Sequence, residues 1–256
     1  MDMNYVLTEY ETDTPSNEYF KLHVHDDYEI FLFLEGDSKY VIEENTYPLA
    51  PGDVIIIRKN QLHRIYHNNC VKYSRIVLNV APEFFVENNC SEYEEKFINP
   101  NSDIGNKIDA KTVKKSGLYD AIFRLKKDSD DFRQQNSPIV RSVLVEILYI
   151  INNVKLYKES VTESKQIQEV IKYLNDNFTE KITLDELERR FFISKYHICH
   201  IFPDITGLTV HQYITKKRLV LARDLIKSGK SKSVAAEMAG FSNYSSFYRA
   251  YVNDFN

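Results

Sequence analysis

The chain has 256 residues, 43% hydrophobic and 27% charged, enough apolar material for one large domain or two modest ones, and its net charge of −4 is unevenly spread. From Lys165 onward there are 14 Lys+Arg against 10 Asp+Glu, or +4, which leaves 19 against 27, or −8, before it: an acidic front and a mildly basic back. The apolar runs are too short for a membrane span, Met1-Asp2-Met3-Asn4 does not open a signal peptide, and Cys70, Cys90 and Cys199 are too few and too scattered for a disulfide framework or a cysteine zinc site, so a cytoplasmic chain with no membrane partner is expected.

From Tyr19 to about Val80 short runs rich in Val, Ile, Tyr and Phe alternate with turn signals. Strands are expected at Tyr28 to Leu34, Tyr40 to Ile42, Val54 to Ile57 and Tyr73 to Val80, with a strong turn at Pro51-Gly52-Asp53. So many short strands point to a small sandwich or barrel. Within this stretch His23-Val24-His25, Glu29 and Gly36 have the spacing of the first cupin motif, and Gly52 followed by His63 meets part of the second. Positions 23, 25 and 29 share parity and would face one side of a regular strand. The resemblance implies a cupin-like barrel that holds a small effector, in a pocket formed by His23, His25, Glu29, Phe31, Phe33, Tyr40 and His63, with Arg58 for an anion. No cofactor is expected; the alternative is a metal on His23, His25, Glu29 and His63, a set suited to Fe, Mn, Ni or Zn.

After Pro82 the texture turns polar, with a helix expected around Leu118 to Leu125. Ser137-Pro138 then reads as a cap with Pro in the first turn. Behind it Val140, Val143, Leu144, Ile147, Leu148 and Ile151 recur at helical spacing, flanked by Ile139, Tyr149 and Ile150. Two readings of this helix (about 137–155) stand level: packing on the β domain, or a homodimer seam. Lys155 to Lys165 is polar and reads as a linker, which divides the chain at 1–158 and 159–256.

A helix over Gln166 to Phe178 carries the stripe Ile167, Val170, Ile171, Leu174 and Phe178. Thr183 to Glu186 forms a capping box for a short helix with Leu184, Leu187 and Phe191. Ser194 caps a second, with Ile198, Ile201, Phe202 and Ile205 inward. Two short helices joined by a tight turn describe a helix-turn-helix. Thr209 caps a longer helix that ends at Gly229, and a second unit follows from Ser231 to Ala239, a turn at Gly240-Phe241 and a cap at Ser242.

Ile182 to Leu187, Ile193-Ser194, Thr206 to Thr209, Tyr213-Ile214, Arg218-Leu219 and above all Gly240 to Arg249 resemble the AraC/XylS family of transcription regulators, over about 90 residues. The resemblance implies an α+β protein: an N-terminal cupin-like β-barrel with helices, then an all-α domain whose two helix-turn-helix units read successive major grooves. It implies double-stranded DNA, a small-molecule effector and a homodimer as partners. The residues placed toward DNA are Ser194, Lys195, Tyr196, His197 and His200, then Ser242, Asn243, Tyr244, Ser246 and Arg249, with Arg249 matching the family's Arg. The chain departs from the family at Pro203, expected to end or kink its helix, and at His200, Lys232, Ala235 and Val252-Asn253. The family's last helix is not found before Asn256, which reads as a truncation. Two other readings are a metal-dependent cupin enzyme with a helical appendage and a defective relative that interferes with an intact regulator.

Overall fold

A computed structural model describes residues 4–98, 105–129, 137–157 and 165–255. By backbone proximity the chain forms two compact units, Met1–Val161 and Thr162–Asn256. Most of the expected linker, residues 158–164, lies outside the described residues.

The first unit is built on two antiparallel sheets. The larger one contains β1 (Tyr5–Thr12), β2 (Tyr28–Glu35), β5 (Val54–Ile57), β7 (Tyr73–Val80) and β8 (Lys107–Ile108), in the order β1-β7-β2-β5-β8. The smaller is β4-β3-β6, from β3 (Ser38–Ile42), β4 (Asn45–Pro48) and β6 (His63–His67). Side chains alternate across a strand, and here strands β2, β5 and β7 of the large sheet are covered on both faces. Even-numbered Tyr28, Ile30, Leu32, Val54, Ile56, Ile76 and Leu78 pack against the helices. Odd-numbered Phe31, Phe33, Ile55, Ile57, Tyr73 and Val77 pack against Tyr40, Ile42, Tyr47 and Ile65 of the small sheet.

The helical layer comprises α1 (Pro82–Glu87), a 3-10 turn at Ser91–Glu94, α2 (Glu95–Ile98), α3 (Ala110–Lys115), α4 (Leu118–Ser129) and α5 (Pro138–Asn153). The Ser137 side chain accepts from the Val140 N–H at the start of α5. The α5 stripe from Val140 to Ile151 is buried in the core shared with the sheet and with α4, which is the packing reading of this helix. Ile139 and Tyr149 stay exposed. Asp53, at the end of the Pro51-Gly52-Asp53 turn, is 2% exposed and holds three partners at 2.8 Å: the N–H groups of Ala50 and Ala110 and the Lys107 ammonium.

The second unit is all helix: α6 (Lys165–Asn177), α7 (Leu184–Phe191), α8 (Lys195–Thr206), α9 (Val210–Lys227), α10 (Lys232–Met238) and α11 (Tyr244–Phe255). Caps set most boundaries: Thr183, Ser194 and Ser231 each accept from a backbone N–H three residues on, and Thr209 forms a full capping box with Gln212. Two expectations are corrected. The cap of α11 is Asn243, whose Oδ1 accepts from the N–H groups of Ser245 and Ser246; Ser242 caps nothing, because the helix starts one residue later than expected. Pro203 does not end α8, which continues to Thr206 and closes at left-handed Gly207. Pro203 has no N–H to offer the Cys199 carbonyl, so the helix runs on with one bond missing from its ladder.

Candidate functional site

Two sites emerge, one in each unit. In the first, His23, His25, Glu29 and His63 converge: one ligand-type atom from each lies within 4.8 Å of all the others. Glu29 enters from β2, and His63 opens β6. His23 lies ahead of β2 and is held by a two-way backbone bridge to His63, both N···O distances 3.0 Å. The shared-parity expectation is therefore corrected: β2 begins only at Tyr28, so His23 and His25 reach the cluster through that bridge and the bend after it.

The cluster has an ordered hydrogen-bond shell. The Nδ1 atoms of His23, His25 and His63 face the carbonyl oxygens of Lys21, Asp27 and Gln61 at 3.0, 2.9 and 2.8 Å. A carbonyl only accepts, so each Nδ1 carries its hydrogen and each Nε2 is left for the cluster. His25 Nε2 meets Glu29 Oε2 at 3.0 Å, and the Tyr40 hydroxyl donates to Glu29 Oε1 at 3.0 Å. His63 Nε2 is buried, 3.8 Å from Glu29 Oε2, and has no hydrogen-bond partner among the described residues. Burial pushes the His63 imidazolium down to about 3, so the ring is neutral near pH 7. Burial would raise the Glu29 carboxyl, but the hydrogen bond from His25 and the neighbouring imidazoles outweigh it and hold it at about 2.

His23, His25 and Glu29 line a cavity of about 680 Å³ together with Phe20, Tyr40, Ile65, Arg75, Val77 and Asn79, whereas His63, expected in the pocket, is fully buried and does not line it. Arg58 is not there, a correction to its expected role. Its buried guanidinium donates to the Lys96 and Gly105 carbonyls at 2.9 and 2.8 Å and so ties loops together. Phe31 and Phe33 are also corrected: both are fully buried in the core between the sheets, behind the cavity wall. Besides Lys21, the cation at the cavity is Arg75, which the sequence reading missed. It lies 5.7, 5.4 and 5.8 Å from the ring centroids of Tyr10, Phe20 and Phe31. Its Nε and the Asn79 Oδ1 are buried without hydrogen-bond partners among the described residues. A signal was present: in Tyr73-Ser74-Arg75-Ile76-Val77-Leu78-Asn79-Val80, Arg75 and Asn79 occupy the parity that faces the interior.

In the second unit α7 and α8 are joined by Phe192-Ile193-Ser194, and α10 and α11 by a turn through left-handed Gly240. Phe192 is also left-handed (φ 54, ψ 39) and 92% exposed, an unusual place for an aromatic. Tyr196, His197 and His200 are exposed on α8, as are Tyr244, Ser246 and Arg249 on α11. Ser194 and Asn243 are exposed too, with their side-chain oxygens engaged as caps. Lys195 is half-buried and pairs with Asp185 and Glu188 of α7, which neutralises it as a free cation; Arg249 has no such partner among the described residues. Helix α9 packs on α8, α10 and α11 and so joins the two helix-turn-helix motifs within the second unit. From α9, Arg218 donates to the Phe178 and Glu180 carbonyls at 2.6 and 2.7 Å.

Comparison with known proteins agrees with this division. Residues 6–149 match the AraC-like ligand binding domain and residues 187–256 a helix-turn-helix domain. The probable transcriptional regulator LumQ of Photobacterium leiognathi is 28% identical over 233 residues, 90% of this chain and 86% of its own. The transcriptional activator RhaS of Escherichia fergusonii is 25% identical over 242 residues, 92% and 84% of the two chains. The crystal structure of ToxT from Vibrio cholerae aligns with 99% of this chain and 94% of its own, at 12% identity and a TM-score of 0.42. No helix among the described residues is long and apolar enough to cross a membrane.

Proposed function

The chain belongs to the AraC/XylS family of transcription regulators, a DNA-binding regulator with a small-molecule-sensing domain, and from that premise we propose which residues carry the two activities. The observation that carries the DNA assignment is the pair of capped helices, α8 and α11, held by one helix, α9, with polar and aromatic side chains exposed on each. Tyr196, His197 and His200 read one major groove and Tyr244, Ser246 and Arg249 the next. Ser194 and Asn243 shape the helix starts that face phosphate, and Lys195 contributes chiefly by bracing α8 on α7. Arg249→Ala is expected to weaken binding to the specific site by about 1–3 kcal/mol. A site recovered by binding selection from genomic fragments, titrated with both proteins at one salt concentration, checks this. Equal affinity would remove Arg249 from the interface.

For sensing, the effector is a small molecule with an anionic group, which Arg75 receives, and a donor that reaches the Asn79 carbonyl. Two orphaned buried polar atoms in one cavity wall support this reading, since such groups are normally paired. In a thermal-shift panel of small organic acids and matched neutral analogues, acids should stabilise the parent and lose that effect with Arg75→Met. Stabilisation by the neutral analogues alone, or shifts of equal size in the variant, would refute the anion site. The protein acts as a cytoplasmic homodimer without catalytic turnover, the exposed Ile139 and Tyr149 of α5 lying on the paired face; a monomeric mass by analytical ultracentrifugation would contradict the dimer.

A further inference from the structure

We propose that the molecule sensed in this cavity is an ω-amino acid, its carboxylate held by Arg75 and its ammonium shared between Asn79 and Glu29. This rests on the anion reading above and names the chemistry of the ligand's other end. Strand register supplies the geometry. Arg75, Val77 and Asn79 alternate onto one face of β7, and all three line the cavity. Across the pairing with β2, Asn79 lies opposite Glu29, which puts an amide and a carboxylate side by side on that face. Arg75 stands two pleats away, about 13 Å along the strand between Cα atoms. Between them on the strand is Val77, and Phe20 and Ile65 add apolar wall.

The two ends demand opposite groups. At one, the guanidinium offers N–H donors, and its Nε is buried without a partner among the described residues. At the other, the unsatisfied atoms accept. Asn79 Oδ1 is buried and unpartnered. Glu29 spends one oxygen on the Tyr40 hydroxyl and the other on His25, which leaves lone pairs on a carboxylate that has about four. An alcohol brings a single donor to such a pair, whereas an ammonium brings three and the opposite charge as well. A dipolar ligand also spares the guanidinium and the carboxylate from being desolvated alone. Glu18 and Lys21 line the cavity too, but both are exposed, where solvent and salt screen them. Charges set several carbons apart match the spacing of the two ends better than an α-amino acid, which carries both on one carbon.

The test titrates full-length protein calorimetrically with δ-aminovalerate and ε-aminocaproate, with valerate and caproate, which lack the amine, and with norvaline, the α-isomer of the first. An ω-amino acid is expected to bind about ten-fold or more tightly than the simple acid of its length, the scale of one charge-assisted hydrogen bond. Glu29→Gln keeps a polar group beside Tyr40 and His25 and should bring that ratio close to one while the simple acids still bind. Asn79→Leu should lower the ratio as well. The comparison among ligands uses the parent protein alone, so it decides even where a variant fails to fold. Equal affinity for amino and simple acids, a preference for norvaline, or an unchanged ratio in both folded variants overturns the proposal. Simple acids that bind in those cases leave the anion site standing, and failure of every acid to bind removes both.

Discussion

Asp53→Ala is expected to lower the stability of the first unit by about 3–5 kcal/mol, the usual cost of leaving one half of a buried ion pair without the other. The Lys107 ammonium sits 2.8 Å from Asp53 and 2.8 Å from the Pro48 carbonyl, so losing the carboxylate strands a positive charge beside β8. The same substitution removes the acceptor for the Ala50 and Ala110 N–H groups, which opens the turn before β5 and the start of α3 together. Guanidinium denaturation followed by circular dichroism reads the effect as a shift of the first-unit transition. A shift worth less than about 1 kcal/mol would place the pair among the weak surface bridges instead. Adding Lys107→Met to the variant should recover part of the loss, since removing both charges avoids the stranded one.

Gly240→Ala is expected to cost about 2–5 kcal/mol in the second unit, from two sources that act together. Gly240 sits at φ +89, a conformation that penalises any Cβ by roughly 1–2 kcal/mol. That Cβ would also lie 2.2 Å from the Thr179 carbonyl oxygen, a backbone atom that no rotamer change can move. The loop it would strike is the one Arg218 grips through Phe178 and Glu180. The turn of the second helix-turn-helix therefore rests directly on the connection between α6 and α7, and the variant should lose specific DNA affinity along with stability. Urea denaturation and a DNA titration on one preparation test both. Parent-like values in each would show that the contact is dispensable.

How much was legible in the sequence depended on how strongly burial marks a residue. Strands β2, β5 and β7 are covered on both faces, so they read as dense apolar runs and were placed to within a residue. Strand β1 is an edge strand in which only Tyr5 is buried; its Thr and Glu residues look like loop, and it went unread. The caps Thr183, Ser194 and Thr209 were legible because a hydroxyl before an apolar stripe has few other uses. At Ser242-Asn243 two good caps stand side by side, and only the hydrogen bond decides between them.

The cavity followed the same logic. The spacing of His23, His25, Glu29 and Gly36 exposed the cluster, although the segment carrying the two leading imidazoles is not the strand assumed for it. Arg58, expected to receive an anion, spends its guanidinium on the Lys96 and Gly105 carbonyls, whereas Arg75 has the parity of β7 that faces the interior. Phe31 and Phe33 have the interior parity and still miss the cavity, because parity gives the face of a sheet and not the depth within the space behind it. The acidic partners of Lys195 on α7 could not be anticipated, since the reading treated α7 only as a support.

Tyr157 exchanges backbone hydrogen bonds with Lys107, at 2.7 and 3.3 Å, and Lys107 belongs to the edge strand β8. The polypeptide is therefore moored to the sheet at the last described residue before position 165. A displacement of β5 or β8, whose far neighbour β2 carries Glu29, is thereby a displacement of the mooring itself. The segment that follows α5 is thus fastened, through Tyr157, β8 and β5, to the sheet whose strand β2 carries Glu29.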